Sequence, residues 1–262
     1  YFIENGLMRE GEPQQIVQWF ADLGVKVEII DARDKFFAGL EGVTDPEEKR
    51  EKGITQVFYK DVFADLVRRS GAKVLLQGTN YTDVEETAAG VKRQHNVFEQ
   101  IGIDPEEAFG YKVVEPILQL RKPAVRAVAR ALGLPPEISE RPPFPGPALA
   151  ARVIGEVTPE RIETVRKATR IVEEELAESG AFQYLAILHE DMVTGIRGGE
   201  RDFGQQIEVR CWESTDAVAA TPTELPFAKL RGIADRIVEE VPGVVSVTYN
   251  VTAKPPSCIE AV

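Results

Sequence analysis

The sequence predicts a two-part α/β protein, a parallel sheet flanked by helices followed by a smaller α+β unit. Three observations carry this reading. Through the first half, short apolar strands alternate with amphipathic helices, the pattern of a parallel sheet covered on both faces. In the second half, strands and helices follow one another without strict alternation, which suits an α+β unit. Between them lies Arg141-Pro-Pro-Phe-Pro-Gly-Pro-Ala-Leu-Ala-Ala-Arg152. Proline locks φ, removes a backbone donor and pushes the preceding residue toward extended geometry, so this stretch excludes a helix or a central strand. It predicts a stiff, extended connector, with one domain over 1–141 and a second over 142–262.

The elements follow in order. Strands are expected at Tyr1–Ile3, Val25–Ile30 and Lys73–Leu76. Pro13–Leu23 reads as a helix with Ile16, Val17 and Phe20 on one face. Asp45–Arg69 opens on a capping pattern, Thr44-Asp-Pro-Glu47, and repeats Val57, Phe58, Val62 and Leu66 at helical spacing. Residues Asn80 to Tyr111 lack apolar periodicity and read as a long loop, the form of a lid over a ligand. Pro123–Leu132 is a further helix, closed by Gly133. In the second half, Thr158-Pro-Glu opens a helix to about Ser179, with Ile162, Val165, Ile171 and Leu176 inward. Strands follow at Tyr184–Leu188, Gln206–Trp212 and Val244–Val251, with a helix at Pro226–Glu240. Ile207, Val209 and Cys211 alternate with polar residues, as on a sheet with one wet face.

Composition narrows the function. At 262 residues, 43% hydrophobic and 28% charged, the chain is an ordinary globular sequence with length for real cores. No apolar run approaches membrane-spanning length. Two cysteines, Cys211 and Cys258, make no disulfide framework and point to reduced thiols in a cytoplasmic enzyme. A net charge of −12 argues against nucleic-acid binding but leaves room for a nucleotide site built from local cations and backbone N–H groups.

Several strings could carry chemistry. Leu76-Gln-Gly-Thr-Asn-Tyr-Thr-Asp83 follows a strand directly, where open α/β sheets bind ligands. Gly78 permits close backbone approach, and Gln77 and Thr79 offer polar groups. Taken alone, the string is first a strand-terminating turn. Asp83 and Glu86 stand three apart, so a helical turn places both carboxylates on one face, where they could hold Mg²⁺ beside a polyphosphate. Spacing alone more readily gives a solvated acidic turn. Lys92-Arg-Gln-His95-Asn96 is a basic patch that could neutralise a departing anion, or a solvated loop. Arg50, in Asp45-Pro-Glu-Glu-Lys-Arg50, has the fork for phosphate oxygens, and could instead belong to a surface i,i+4 pairing. Taken alone, Arg201 and Arg210 could be hairpin surface charges. No Cys–His nucleophile pair, zinc-type ligand spacing or Walker-type loop is present.

These strings together resemble the GMP synthetase family. The proline-rich segment resembles R-x-P-F-P-G-P-G-L, and Lys254-Pro-Pro-Ser-Cys-Ile-Glu260 resembles K-P-P-x-x-I-E at that family's end. Gln77–Thr87 resembles Q-G-T-x-x-P-D-x-I-E-S, Asp45–Arg50 resembles D-P-E-x-K-R, and Lys92–Asn96 resembles K-S/T-H-H-N. Phe182-Gln183-Tyr184 resembles W-Q-x, and Gly195–Arg201 resembles G-V-x-G-D-x-R, with Arg201 and Arg210 as retained matches. Thr82, Glu85, Thr87, Gln94, Gly199 and Cys258 depart from the family's residues. The resemblance covers essentially the whole chain.

It implies an N-type ATP-pyrophosphatase domain with a Rossmann-like parallel sheet, then a dimerisation domain that also binds XMP. The implied reaction is ATP-dependent amination of XMP to GMP through an adenylyl intermediate. ATP and Mg²⁺ are the implied cofactors, and a separate glutamine amidotransferase subunit supplies ammonia to a homodimer. The resemblance assigns Gln77, Gly78 and Thr79 to ATP. It assigns Asp83, Glu86, Lys92, His95 and Asn96 to the catalytic lid. It assigns Arg50, Gln183, Lys254, Ile259 and Glu260 to XMP. The family's S-G-G-V-D-S pyrophosphate loop is not in this sequence. Tyr1–Glu12 matches the strand that follows that loop, so the native protein is expected to carry the loop upstream. Two rival readings share these residues: a diverged pyrophosphatase acting on another nucleotide, and a non-catalytic nucleotide-binding dimer.

Overall fold

The structure is a computed structural model and describes residues 1–81, 83–84, 111–140, 144–215 and 217–261. It is a mixed α/β fold with small parallel sheets. The chain groups into two compact units, Tyr1–Val57 with Pro143–Val262, and Phe58–Pro142.

In the larger unit, β1 (Phe2–Glu4) pairs in parallel with β2 (Ile29–Asp31). The crossover between them contains α1 (Glu12–Asp22), as parallel pairing requires. The second strand is shorter than Val25–Ile30, and Phe20 of α1 is 44% exposed instead of facing a core. A helix absent from the sequence reading, α2 (Arg33–Leu40), follows β2 and buries Phe36 and Leu40.

The next helix begins with α3 (Pro46–Glu48), continues as a π-helical run over Lys49–Phe63 and ends as α4 (Ala64–Ser70) in the smaller unit. Its cap is Asp45, not Thr44: the Asp45 carboxylate accepts the N–H groups of Glu47 and Glu48, both at 3.0 Å. Proline at the first helical position needs no partner for its missing N–H, which favours this start. Gly39 on α2 and Gly53 on the π-helical run allow close approach. A Cβ on Gly53 would stand 2.5 Å from Leu40 Cδ2.

In the smaller unit, β3 (Val74–Leu76) pairs in parallel with β4 (Lys112–Val114). Helices α5 (Lys122–Ala131) and α6 (Pro136–Ser139) follow. Phe58 and Phe63 stack at 5.8 Å, and Tyr111 meets Phe63 edge-on at 6.2 Å.

Back in the larger unit, the segment Ala148–Arg152 corrects the connector expectation. It forms a 3-10 turn, and all five residues are buried. Leu149 donates its N–H to the Leu7 carbonyl at 2.9 Å. The prolines before it restrict the chain, but four consecutive apolar side chains drive it into the core. Ala148 has φ 53, in the left-handed region that favours glycine. The resembled signature carries glycine there.

α7 (Pro159–Leu176) matches expectation, with Thr158 as N-cap and Ile162, Val165, Ile171 and Leu176 buried. Each such side chain contributes about 1.5–3 kcal/mol by leaving water. It packs on a four-stranded mixed sheet built from β5 (Gln183–Arg197), β6 (Glu200–Glu213), β7 (Thr221–Pro222) and β8 (Val244–Tyr249). β5 and β6 form a long antiparallel hairpin, β7 pairs antiparallel with β6, and β8 runs parallel to β6. α8 (Phe227–Glu240) supplies the crossover to β8. Ile207, Val209 and Cys211 are buried as their alternation predicts.

Candidate functional site

Two groups of polar residues stand at strand ends, one in each unit. In the larger unit the site is built where β5 begins and β6 ends. Gln183 opens β5 opposite Trp212. Beneath it, Leu185, Ile187, Trp212, Ala220 and Ile259 form one buried cluster. Ile259 is thus an anchor: its burial draws the C-terminal segment onto the sheet and sets Glu260 beside Gln183.

The Gln183 amide Nε2 donates to Glu260 Oε1 at 2.8 Å. Arg152 reaches the same carboxylate, Nε to Oε2 at 3.3 Å and Nη2 to Oε1 at 3.5 Å. Arg152 is 1% exposed, and its Nη1 is buried with no hydrogen-bond partner among the described residues. Its guanidinium carbon lies 5.0 Å from the Phe144 ring centroid, and that of Arg9 lies 3.9 Å from the same ring. Such stacking suits a planar cation against the face of an aromatic ring.

Arg210 is no surface charge. Its Nη1 donates to the Cys258 carbonyl at 2.7 Å and to the Ile259 and Glu260 carbonyls at 3.4 Å. Its Nε binds Glu208 at 2.6 Å, and Glu208 faces His189 Nε2 at 2.8 Å. Glu208 sits below the usual carboxylate range. Burial pushes it up, and the Arg210 and His189 hydrogen bonds outweigh that. Arg201 is exposed, beside Phe203.

Lys254 pairs its backbone with Ala220, and its ammonium donates to the Ala217 carbonyl at 2.7 Å. Arg50 lies half-buried in the π-helical run, and its carbonyl accepts the Thr55 hydroxyl at 2.7 Å. The i,i+4 ion pair of this stretch joins Glu48 to Lys52 instead.

In the smaller unit, the turn after β3 is closed on itself. The Gln77 N–H donates to the Val114 carbonyl at 2.9 Å, extending the ladder by one residue. Its side-chain Nε2 donates to the Thr79 hydroxyl at 2.9 Å and to Glu115 Oε1 at 3.3 Å. Thr79 is buried, and Gly78 is exposed with open space where a Cβ would stand. Asp83 Oδ2 accepts the Asn80 N–H at 3.0 Å. Glu86, Lys92, His95 and Asn96 lie outside the described residues, as does most of the expected lid. Among the described residues, no group of three or more His, Cys, Asp or Glu is placed to hold a metal ion.

Sequence reading assigned no role to Arg152 or Glu208. A signal for Arg152 was in view: an arginine inside an Ala-Leu-Ala-Ala-Arg-Val-Ile run must find a partner wherever that run is buried.

With this geometry in place, comparison with known proteins is decisive. The chain is 48% identical over 259 residues to the B subunit of the glutamine-hydrolyzing GMP synthase of Archaeoglobus fulgidus, covering 99% of this chain and 82% of that one. The chain belongs to the glutamine-hydrolysing GMP synthase family. A relative of the same name from Methanopyrus kandleri is 46% identical over 267 residues, covering 99% and 83%. The glutamine-hydrolyzing GMP synthase of Pyrobaculum aerophilum is 44% identical over 269 residues, with 99% of this chain and 52% of that protein covered. The family model described as GMP synthase C terminal domain matches residues 169–261, which spans the C-terminal part of α7, the mixed sheet and the Glu260 segment. Gln183 and Glu260 both lie within the matched residues.

Proposed function

We propose that this chain is the synthetase component of a GMP synthase, converting XMP to GMP at the expense of ATP. The reaction is a ligase reaction that forms a C–N bond. ATP adenylates the C2 oxygen of XMP and pyrophosphate leaves. Ammonia then attacks C2, AMP departs with that oxygen, and GMP results. The observation that carries the reading is the meeting of Gln183, Ile259 and Glu260 at one strand end, within a chain homologous over nearly its full length to GMP synthases.

In this reading Ile259 anchors the segment, Gln183 and Glu260 present polar groups to the xanthine nucleotide, and Lys254 and Arg50 supply positive charge for its phosphate. Gln77, Gly78 and Thr79 hold the adenine nucleotide at the end of β3, within an N-type ATP-pyrophosphatase fold over residues 1–141. Lys92, His95 and Asn96 serve the adenylated intermediate, Lys92 by neutralising its charge or that of the departing pyrophosphate. Mg²⁺ accompanies the ATP phosphates, with Asp83 and Glu86 as its protein carboxylates, and supplies charge neutralisation when bound. The Asp83 carboxylate caps its own turn, accepting the Asn80 N–H. Ammonia comes from a separate glutaminase subunit, and the location is cytoplasmic. No helix among the described residues is long and apolar enough to cross a membrane.

A homodimer through residues 142–262 completes the proposal. The outer half of the β5–β6 hairpin supports it, exposing Met192, Ile196 and Phe203 at 58%, 81% and 61%.

The test is product formation by the native protein with XMP, ATP, Mg²⁺ and ammonium chloride. GMP and AMP should appear in equal amounts, and neither without XMP. AMP release driven equally well by another nucleotide overturns the proposal.

A further inference from the structure

We infer that Arg152 is a positioning residue for the XMP site, acting through the Glu260 carboxylate. The inference rests on the reading of Glu260 as an XMP contact and adds to it a residue from the proline-rich segment, 108 positions away in sequence.

The geometry argues this in three steps. First, the Arg152 fork addresses both oxygens of one carboxylate, Nε on Oε2 and Nη2 on Oε1. That arrangement fixes the plane of the carboxylate as well as its charge. At 3.3 and 3.5 Å the contacts are long for a tight ion pair, so the arginine orients the carboxylate without closing it off. The Glu260 side chain keeps 16% exposure, a face left for a ligand, while Arg152 has 1%.

Second, the guanidinium is a poor choice for stability alone. A buried ion pair can often be replaced by apolar residues with no loss of stability. Here one further donor, Nη1, is buried without an acceptor among the described residues, which is costly. A core position filled by charge at that cost is explained when the charge serves the partly exposed carboxylate beside it.

Third, Glu260 is held from a second side. Arg210 binds the carbonyls of Cys258, Ile259 and Glu260, fixing the backbone, and Gln183 binds Oε1. Backbone, one oxygen and carboxylate plane are thereby set by three different residues. Among these three, Arg152 is the one that sets the plane. The buried 3-10 turn Ala148–Arg152 acquires a purpose as well, because it delivers this guanidinium beneath the C-terminal segment.

The experiment is a double-mutant cycle on the native protein, read as KM and kcat for XMP at saturating ATP and ammonium chloride. R152Q should raise the XMP KM by about 10- to 100-fold, the scale of a misplaced binding group, with kcat and the ATP KM changed far less. R152K, which keeps the charge, should recover part of the loss. In an E260Q background, R152Q should add less than about twofold, because the residue acts through that carboxylate. If R152Q loses its cooperative melt, R152K carries the same cycle. An unchanged XMP KM in R152Q, or a full additive loss in the E260Q background, overturns the inference. A wild-type protein that shows no preference for XMP overturns the underlying function instead, so the two failures are told apart.

Discussion

Where β5 begins, Glu260 is gripped by Arg152, Gln183 and, through its backbone, Arg210, above a buried apolar cluster. Where β3 ends, Gln77 and Thr79 grip one another, and Leu76 beside them is 71% exposed. The first site is supported from below by a sheet with strands of 15 and 14 residues; the second stands on strands of three. Rigid, pre-set polar groups suit a subsite that must recognise one base. A turn held by its own side chains suits a subsite completed when its ligand arrives.

The contrast is sharpest in its stability consequences. Trp212→Ala should cost about 3–5 kcal/mol, because it empties the cluster under Ile259. Leu76→Ala should stay within about 0.5 kcal/mol. Urea unfolding of the two variants measures the difference, and equal losses would break the comparison.

Lys254 comes next. By the proposed phosphate contact, Lys254→Glu should weaken XMP binding by about 10- to 100-fold, the scale of a lost charge-assisted hydrogen bond with repulsion added. Gly78→Ala should leave the fold intact, since its Cβ meets open space, and should raise the ATP KM if the nucleotide lies against that backbone. A calorimetric titration and an ATP saturation curve check these in turn.

The buried amine of Lys49 gives a pH signature. It donates to the Val153 carbonyl at 2.9 Å, and burial, reinforced by Arg161, lowers its pKa to about 8 from 10.5. Because the unfolded chain holds this proton more tightly, stability gains from Lys49 as pH rises from about 8 toward 10.5. That segment of the stability–pH profile should vanish in Lys49→Met, and a profile identical to wild type would contradict the assignment. A small gain is expected at Ala148. Glycine there relieves the left-handed backbone, so Ala148→Gly should gain up to about 1 kcal/mol in denaturant unfolding.

How far the sequence revealed this depended on local burial. Ile162, Val165, Ile171 and Leu176 all face inward in α7, so period and structure agree. β5 was legible only to Leu188. Beyond it, Glu190, Asp191, Met192 and Ile196 are exposed, so pairing with β6 defines the strand and no alternation betrays it. Likewise Gln183, Ile259 and Glu260 could be singled out by resemblance. Their grip by Arg152 could not, because it joins residues 108 apart through a turn whose burial no local pattern announces. Arg210 stood out by resemblance, while pattern alone left it open as a surface charge: its neighbours on β6 alternate, and the C-terminal segment covers its face.

The central claim is that the strand-end cluster around Glu260 recognises XMP. Calorimetric titration of the protein with XMP, IMP and UMP, repeated on Glu260→Gln, tests it most directly. The account predicts clear preference for XMP in the wild type and loss of that preference in the variant. Equal affinity for all three nucleotides, or unchanged selectivity in Glu260→Gln, would contradict it.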